Sequence, residues 1–236
     1  MRGGKPDFRI EMKGETATIW LYDVIGADYF GGITARMFAD EIVNAKGASQ
    51  IELRINSPGG DVFEGAAMLS LLKSQPAPIN VYIDGLAASM ASVLATVGDT
   101  TQISANGMIM IHDPSGGVFG TAEDMRKTAD LMDKVKNTLV QNYVERTGMT
   151  AEEIMPLMAS ETWFTAQEAL DANFVDCIGS EQCIAACVRP DLFKYRHMPK
   201  NLLDKPEPKA VVSPDEVQGQ IQTRLSQWRT EDDATN

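Results

Sequence analysis

The stretch 79-INVYIDGLAASMASVLATVG-98 decides the fold. Residues Ile79 to Ile83 form an apolar, β-branched run of the kind that builds strands. Asp84-Gly85 breaks that run, and a small-residue apolar segment follows that reads as a helix. Ser89 sits near its start. The unit is therefore strand, glycine turn, helix. A serine between alanines in such a helix is ordinarily a packing residue. As a nucleophile it would need a base within reach.

The same pattern repeats on both sides. Residues 16–25, TATIWLYDVI, read as a first strand. Thr34 caps a helix whose stripe is Met37, Phe38, Ile42 and Ala45, with Gly47 as its stop. A short strand, 51-IELRIN-56, leads through SPGGD into a helix at 62–74, ended by the prolines at 76–78. Residues 101–104 and 108–111 read as two strands joined at Asn106-Gly107, and the glycine-rich loop 115–120 follows. Thr121-x-x-Asp124 opens a long helix to about Arg146. Thr150-x-x-Glu153 and Thr165-x-x-Glu168 cap two shorter helices, to about Ala159 and Ala172. Phe174-Val175-Asp176 reads as a final strand. Strands alternating with helices imply parallel pairing through right-handed crossovers, an α/β layered core.

Residues 1–15 read as a polar N-terminal segment and 16–198 as one domain. Residues 199–236 are rich in proline and charge and read as a mobile tail with one short helix at 215–228. The chain has 236 residues, 44% of them hydrophobic and 23% charged, enough for a real core. Its formal net charge of -12 disfavours nucleic acid as a partner. No long apolar run suggests a membrane span or signal core, so a cytoplasmic location is expected. Cys177, Cys183 and Cys187 are too widely spaced for a zinc site, and the nearest histidine is His197; reduced thiols are expected.

Two strand-to-helix turns, 55-INSPGGD-61 and 84-DGLAASM-90, stand out as places for chemistry. Each aims backbone N–H groups at a helix start, where negative charge is stabilised. On neighbouring parallel strands both would lie at one sheet edge, where open α/β sheets bind ligands. The chain has only two histidines. His112 ends the apolar strand MIMIH ahead of Asp113-Pro114, at a loop mouth where sites are commonly built. Asp113 is a poor orienter for it, because adjacent side chains on an extended segment point apart. Glu161, in the link between two capped helices, is the better third group, although spacing alone reads equally well as a solvated loop carboxylate.

INSPGGDVFEG, DGLAASMAS, MIMIHDPSGG and ETWFTAQEALDANFVD, in that order, resemble the ClpP-type serine peptidase family over roughly residues 16–180. The wording ETWFTAQEA is similar to that of the phage head maturation (prohead) proteases of the ClpP-like type. The resemblance implies a spiral of ββα units, as in the ClpP and crotonase folds. It implies Ser89 as nucleophile, His112 as general base and Glu161 as the third member, where bacterial subunits carry aspartate. Gly60 and Met90 match the backbone N–H donors of the oxyanion hole. It also implies peptide or protein substrates, such as capsid or scaffold precursors, homo-oligomeric rings that stack through the 115–120 strip and the helix after it, and no cofactor or metal. An unfoldase partner is the alternative context. A crotonase-type acyl-CoA enzyme and a non-catalytic ring subunit are the alternatives in other classes.

Overall fold

The computed structural model describes residues 6–27, 32–179 and 195–199. All of them belong to one compact unit, Met1–Leu203. Its centre is a mixed sheet in the order β1-β2-β3-β4-β5-β8, with β6 joining β4 and β7 joining β6. The strands are β1 (Phe8–Lys13), β2 (Thr16–Leu21), β3 (Gln50–Ser57), β4 (Ile79–Ala88), β5 (Thr100–Ser104), β6 (Met108–Ile111), β7 (Thr162–Thr165) and β8 (Cys177–Gly179). The pairs β1–β2 and β6–β7 are antiparallel and the others parallel. The helices are α1 (Ala35–Ile42), α2 (Val62–Lys73), α3 (Met90–Ala95), α4 (Ala122–Thr147), α5 (Ala151–Ala159) and α6 (Ala166–Asp171).

The period-two pattern explains the core. Ile51, Leu53 and Ile55 of β3 and Ile79, Val81 and Ile83 of β4 are buried, with Phe38, Met68 and Leu72 of α1 and α2 in the same apolar cluster. Three capping boxes form as the sequence leads one to expect, at Thr121–Asp124, Thr150–Glu153 and Thr165–Glu168. On the opposite face of the strands, Asp84 is 2% exposed and accepts from both Tyr22 Oη and Arg54 Nη2.

Five sequence expectations need correction. The polar segment 1–15 carries β1, which turns at Gly14 (φ 62) and pairs with β2. The first strand stops at Leu21 rather than at 25. The link between α5 and α6 contains a strand, β7. The final strand lies at Cys177–Gly179, three residues beyond Phe174–Asp176, because Phe174 and Val175 are instead buried against the core. The most consequential difference concerns β4: it does not end at Asp84-Gly85 but runs on to Ala88. Up to Ile83 its partner on one side is β5; from Leu86 to Ala88 it is β6. Gly85 thus marks a change of partner, not a turn. The expected tail from 200 onwards and its helix at 215–228, with Cys183 and Cys187, lie outside the described residues.

Candidate active site

Ser89 is the single residue between β4 and α3. Its backbone sits at φ 52, ψ -125, a conformation that side-chain-bearing residues avoid. Such a geometry costs on the order of 1–3 kcal/mol and persists only where the surroundings over-determine it. They do so here. Ser89 donates its N–H to the Met110 carbonyl at 2.9 Å. Its own carbonyl accepts the Ser92 hydroxyl at 2.6 Å. With that proton committed, Ser92 accepts from the buried Tyr143 hydroxyl of α4 at 2.8 Å. The result is a sharp strand-to-helix corner that presents the Ser89 side chain at the sheet edge.

His112 follows directly on β6, the strand that pairs with the end of β4. Its Nε2 lies 2.7 Å from Ser89 Oγ. Burial pushes the imidazole below its ordinary value, against the opposing pull of the Glu161 and Asp113 charges. A neutral ring whose Nε2 accepts from the hydroxyl is the form a general base requires. Asp113 turns away to pair with Lys136 Nζ at 2.8 Å.

Glu161 sits just ahead of β7. The antiparallel register pairs Met110 with Trp163 and Ile111 with Thr162, so one further step brings Glu161 opposite His112. The backbone at Glu161 is also left-handed, at φ 52, and the residue is 7% exposed. Its carboxylate makes no hydrogen bond to His112. Oε1 accepts the His197 N–H at 2.6 Å and the Trp163 indole N–H at 3.3 Å, and Oε2 accepts the Arg196 N–H at 2.7 Å. Burial alone would raise this carboxyl, but the two backbone N–H groups, the indole and the His112 charge together hold it below the usual range. Glu161 is therefore an anchored anion facing the imidazole.

The second turn closes over the serine. Gly59 (φ 88) lies so near that a Cβ there would stand 2.8 Å from Ser89 Cβ. Gly60 lines the same cleft as Ser89, His112 and Glu161, a space of about 550 Å³. The N–H groups of Gly60 and Met90 donate to no other described residue. The structure thus brings Ser89, His112, Glu161 and Gly60 together. Tyr195 and Arg196, which line the cleft as well, were not singled out by sequence reasoning; their only signal was an aromatic residue two positions before the second histidine. Among the described residues no group of three or more histidine, cysteine or acidic side chains is placed to hold a metal.

Known proteins are similar to this chain. The family model for Clp protease matches residues 11–182. The ATP-dependent Clp protease proteolytic subunit 1 of Leifsonia xyli subsp. xyli is 35% identical over 170 residues, 71% of this chain and 85% of that protein. The proteolytic subunit 2 of Tropheryma whipplei is 36% identical over 166 residues, 69% of this chain and 91% of that protein. The subunit 2 of Corynebacterium glutamicum reaches 42% over 128 residues, 53% of this chain and 64% of that protein. The matched stretch holds the strand corner at Ser89, the Gly59-Gly60 turn, His112 and Glu161, and by it this chain belongs to the Clp protease family.

Proposed function

We propose that the chain cleaves peptide bonds of protein substrates through an acyl-enzyme formed on Ser89. That it is a serine-type peptidase follows from its family. The observation that carries the assignment of roles is the 2.7 Å contact between Ser89 Oγ and His112 Nε2 at a strained strand end. His112 takes the hydroxyl proton as Oγ attacks the scissile carbonyl, then returns it to the leaving amine. The N–H groups of Gly60 and Met90 hold the oxyanion. The Glu161 carboxylate stabilises the imidazolium that forms between the two proton transfers. Water then repeats the sequence and releases the acid.

The test is labelling with a fluorophosphonate, read by peptide mass spectrometry. Ser89 Oγ displaces fluoride at phosphorus, and a tag on Ser89 that disappears in Ser89→Ala is the expected result. A tag elsewhere, or unchanged casein cleavage by Ser89→Ala, overturns the assignment. The same tag separates the peptidase from a crotonase-type acyl-CoA enzyme or a structural ring subunit, neither of which needs an activated serine.

The relatives are named as proteolytic subunits of ATP-dependent Clp proteases. This favours a cellular subunit working in a homo-oligomeric ring beside an ATP-driven unfoldase. The phage head-maturation reading, with scaffold or capsid precursors as substrates, keeps one specific support, the ETWFTAQEA wording. An unfoldase gene beside this one selects the first context; portal and capsid genes select the second.

A further inference from the structure

The segment Tyr195–Pro199 touches each part of the site by a different contact. The Tyr195 hydroxyl donates to the carbonyl of Pro58, the residue that precedes Gly59-Gly60. Its ring meets His112 edge-on at 5.7 Å between centroids and Trp163 edge-on at 5.6 Å. The ring packs with a small apolar cluster of Leu86, Ala88 and Met110, at the strand ends that carry Ser89 and His112. The next two residues, Arg196 and His197, give their N–H groups to the two oxygens of Glu161. Burial, and then the Glu161 charge, push the phenol upward, so it stays a donor at any working pH.

Three of these contacts reach groups that the proposed reaction needs fixed: the turn that carries Gly60, the His112 ring and the Glu161 carboxylate. The serine corner is held by Met110 and Ser92. The SPGG turn is tied at Gly59, whose carbonyl accepts the Ile25 N–H at 2.8 Å and whose N–H donates to Ser57 Oγ at 3.1 Å, and the Tyr195 hydroxyl adds a tie from the cleft side at Pro58, just ahead of the glycine pair. His112 shares no hydrogen bond with Glu161 that would orient its ring. An aromatic edge against the imidazole supplies by packing what that missing bond would have supplied.

We propose that Tyr195 is a positioning residue of the active site: its hydroxyl fixes the Gly59-Gly60 turn at the oxyanion position, its ring fixes His112, and the backbone that follows it fixes Glu161. The inference rests on the Ser89–His112 reading. It assigns catalytic geometry to a residue beyond the 11–182 stretch that the family model matches.

The experiment uses the full chain and the rate of fluorophosphonate labelling at Ser89, followed against pH. Tyr195→Phe keeps the ring and loses the bond to Pro58. Labelling slows by about tenfold, the worth of one buried hydrogen bond to a backbone carbonyl, while the pH at half-maximal rate stays where it was. Tyr195→Ala also opens the His112 face to water. The groups that then face the imidazole are Ser89, Glu161 and Asp113, the last paired with Lys136. Of the forces on the ring, burial is the one that weakens, so the acid limb of the rate profile moves to higher pH. A residue that merely stabilised the fold would lower the melting temperature of both variants and leave the limb in place. A wild-type rate in Tyr195→Phe overturns the proposal, and so does an unmoved limb in Tyr195→Ala. If the unsubstituted protein itself takes no label on Ser89, the peptidase roles fall first and this proposal with them. Labelled wild type beside an unaffected Tyr195→Phe sinks this proposal alone.

Discussion

Ser89→Gly and Ser89→Ala both remove the nucleophile, yet they should differ in stability, and the sign tests whether strain is stored at the corner. At φ 52, ψ -125 an alanine bears the same backbone penalty as the serine, on the order of 1–3 kcal/mol. Glycine escapes it. Against that relief stand the extra freedom of glycine in the unfolded chain, about 0.5–1 kcal/mol, and the loss of one half-buried methyl, about 0.4 kcal/mol. The balance leaves Ser89→Gly more stable than Ser89→Ala by about 1 kcal/mol. In a chain of this length that corresponds to about 2–4 °C in Tm. Paired thermal melts at equal protein concentration read the difference directly, since any self-association then weighs on both alike. If Ser89→Gly melts at or below Ser89→Ala, the corner is not strained, and the reading of Ser89 as a residue held against its preference is wrong.

The acid limb of activity in the unsubstituted protein should fall below pH 6.5, the ordinary histidine value, because burial lowers His112; a midpoint above 6.5 would contradict the buried, neutral imidazole. Glu161→Gln removes the charge that raises His112, so its limb moves to still lower pH while the maximal rate falls by about ten- to a hundredfold; a fixed limb would assign the anion to another carboxylate. Glu161 has its carboxyl lowered in the folded state. The stability it adds is complete above about pH 4.5, its ordinary value, and is lost as pH falls below it. The difference between the denaturant midpoints of Glu161→Gln and the parent should be full at pH 7 and smaller at pH 3.5, where the loss has begun. Asp84→Ala should cost about 3 kcal/mol in a urea titration, since Arg54 and Tyr22 lose their common buried partner, and none of the three lines the cleft; a loss under 1 kcal/mol would mean the network is solvated.

Much of the fold was legible where the determining chemistry is local. The three capping boxes, the break between two strands at Asn106-Gly107 and the breaks at Gly47 and the prolines 76–78 depend on a few consecutive residues, and they were placed correctly. The errors have two sources. β1 reads FRIEMK, apolar and charged residues in strict alternation, a local strand signal that the polar reading of 1–15 passed over; β2, three residues on, pairs with all six of its residues. The other errors fall where pairing is with a distant strand. β7 is four residues long and lies between two strong helix signals; only β6, some fifty positions earlier in the chain, makes it a strand. That omission hid the best argument for Glu161, the register that sets it opposite His112. The same blindness to distant contacts hid Tyr195, whose neighbours Pro58 and His112 are remote in sequence.

Gly85 shows how one misread glycine bears on the chemistry. Read as a turn, it ends the strand early and leaves Ser89 one turn into a helix, where its side chain would pack and its backbone would be relaxed. In the structure the strand continues for three more residues because a second partner, β6, takes over where β5 leaves off. Gly85 lies at that handover, and β3 shifts register beside it, between Ile55 and Ser57. The extra length carries Ser89 out to the edge formed by β6 and by the Gly59-Gly60 turn that follows β3. It also replaces a gentle strand-to-helix passage with an abrupt one, confined to a single residue with positive φ. The partner switch at Gly85 therefore does two things at once: it brings in the strand that ends in His112, and it forces the strained geometry that points the Ser89 hydroxyl at the imidazole.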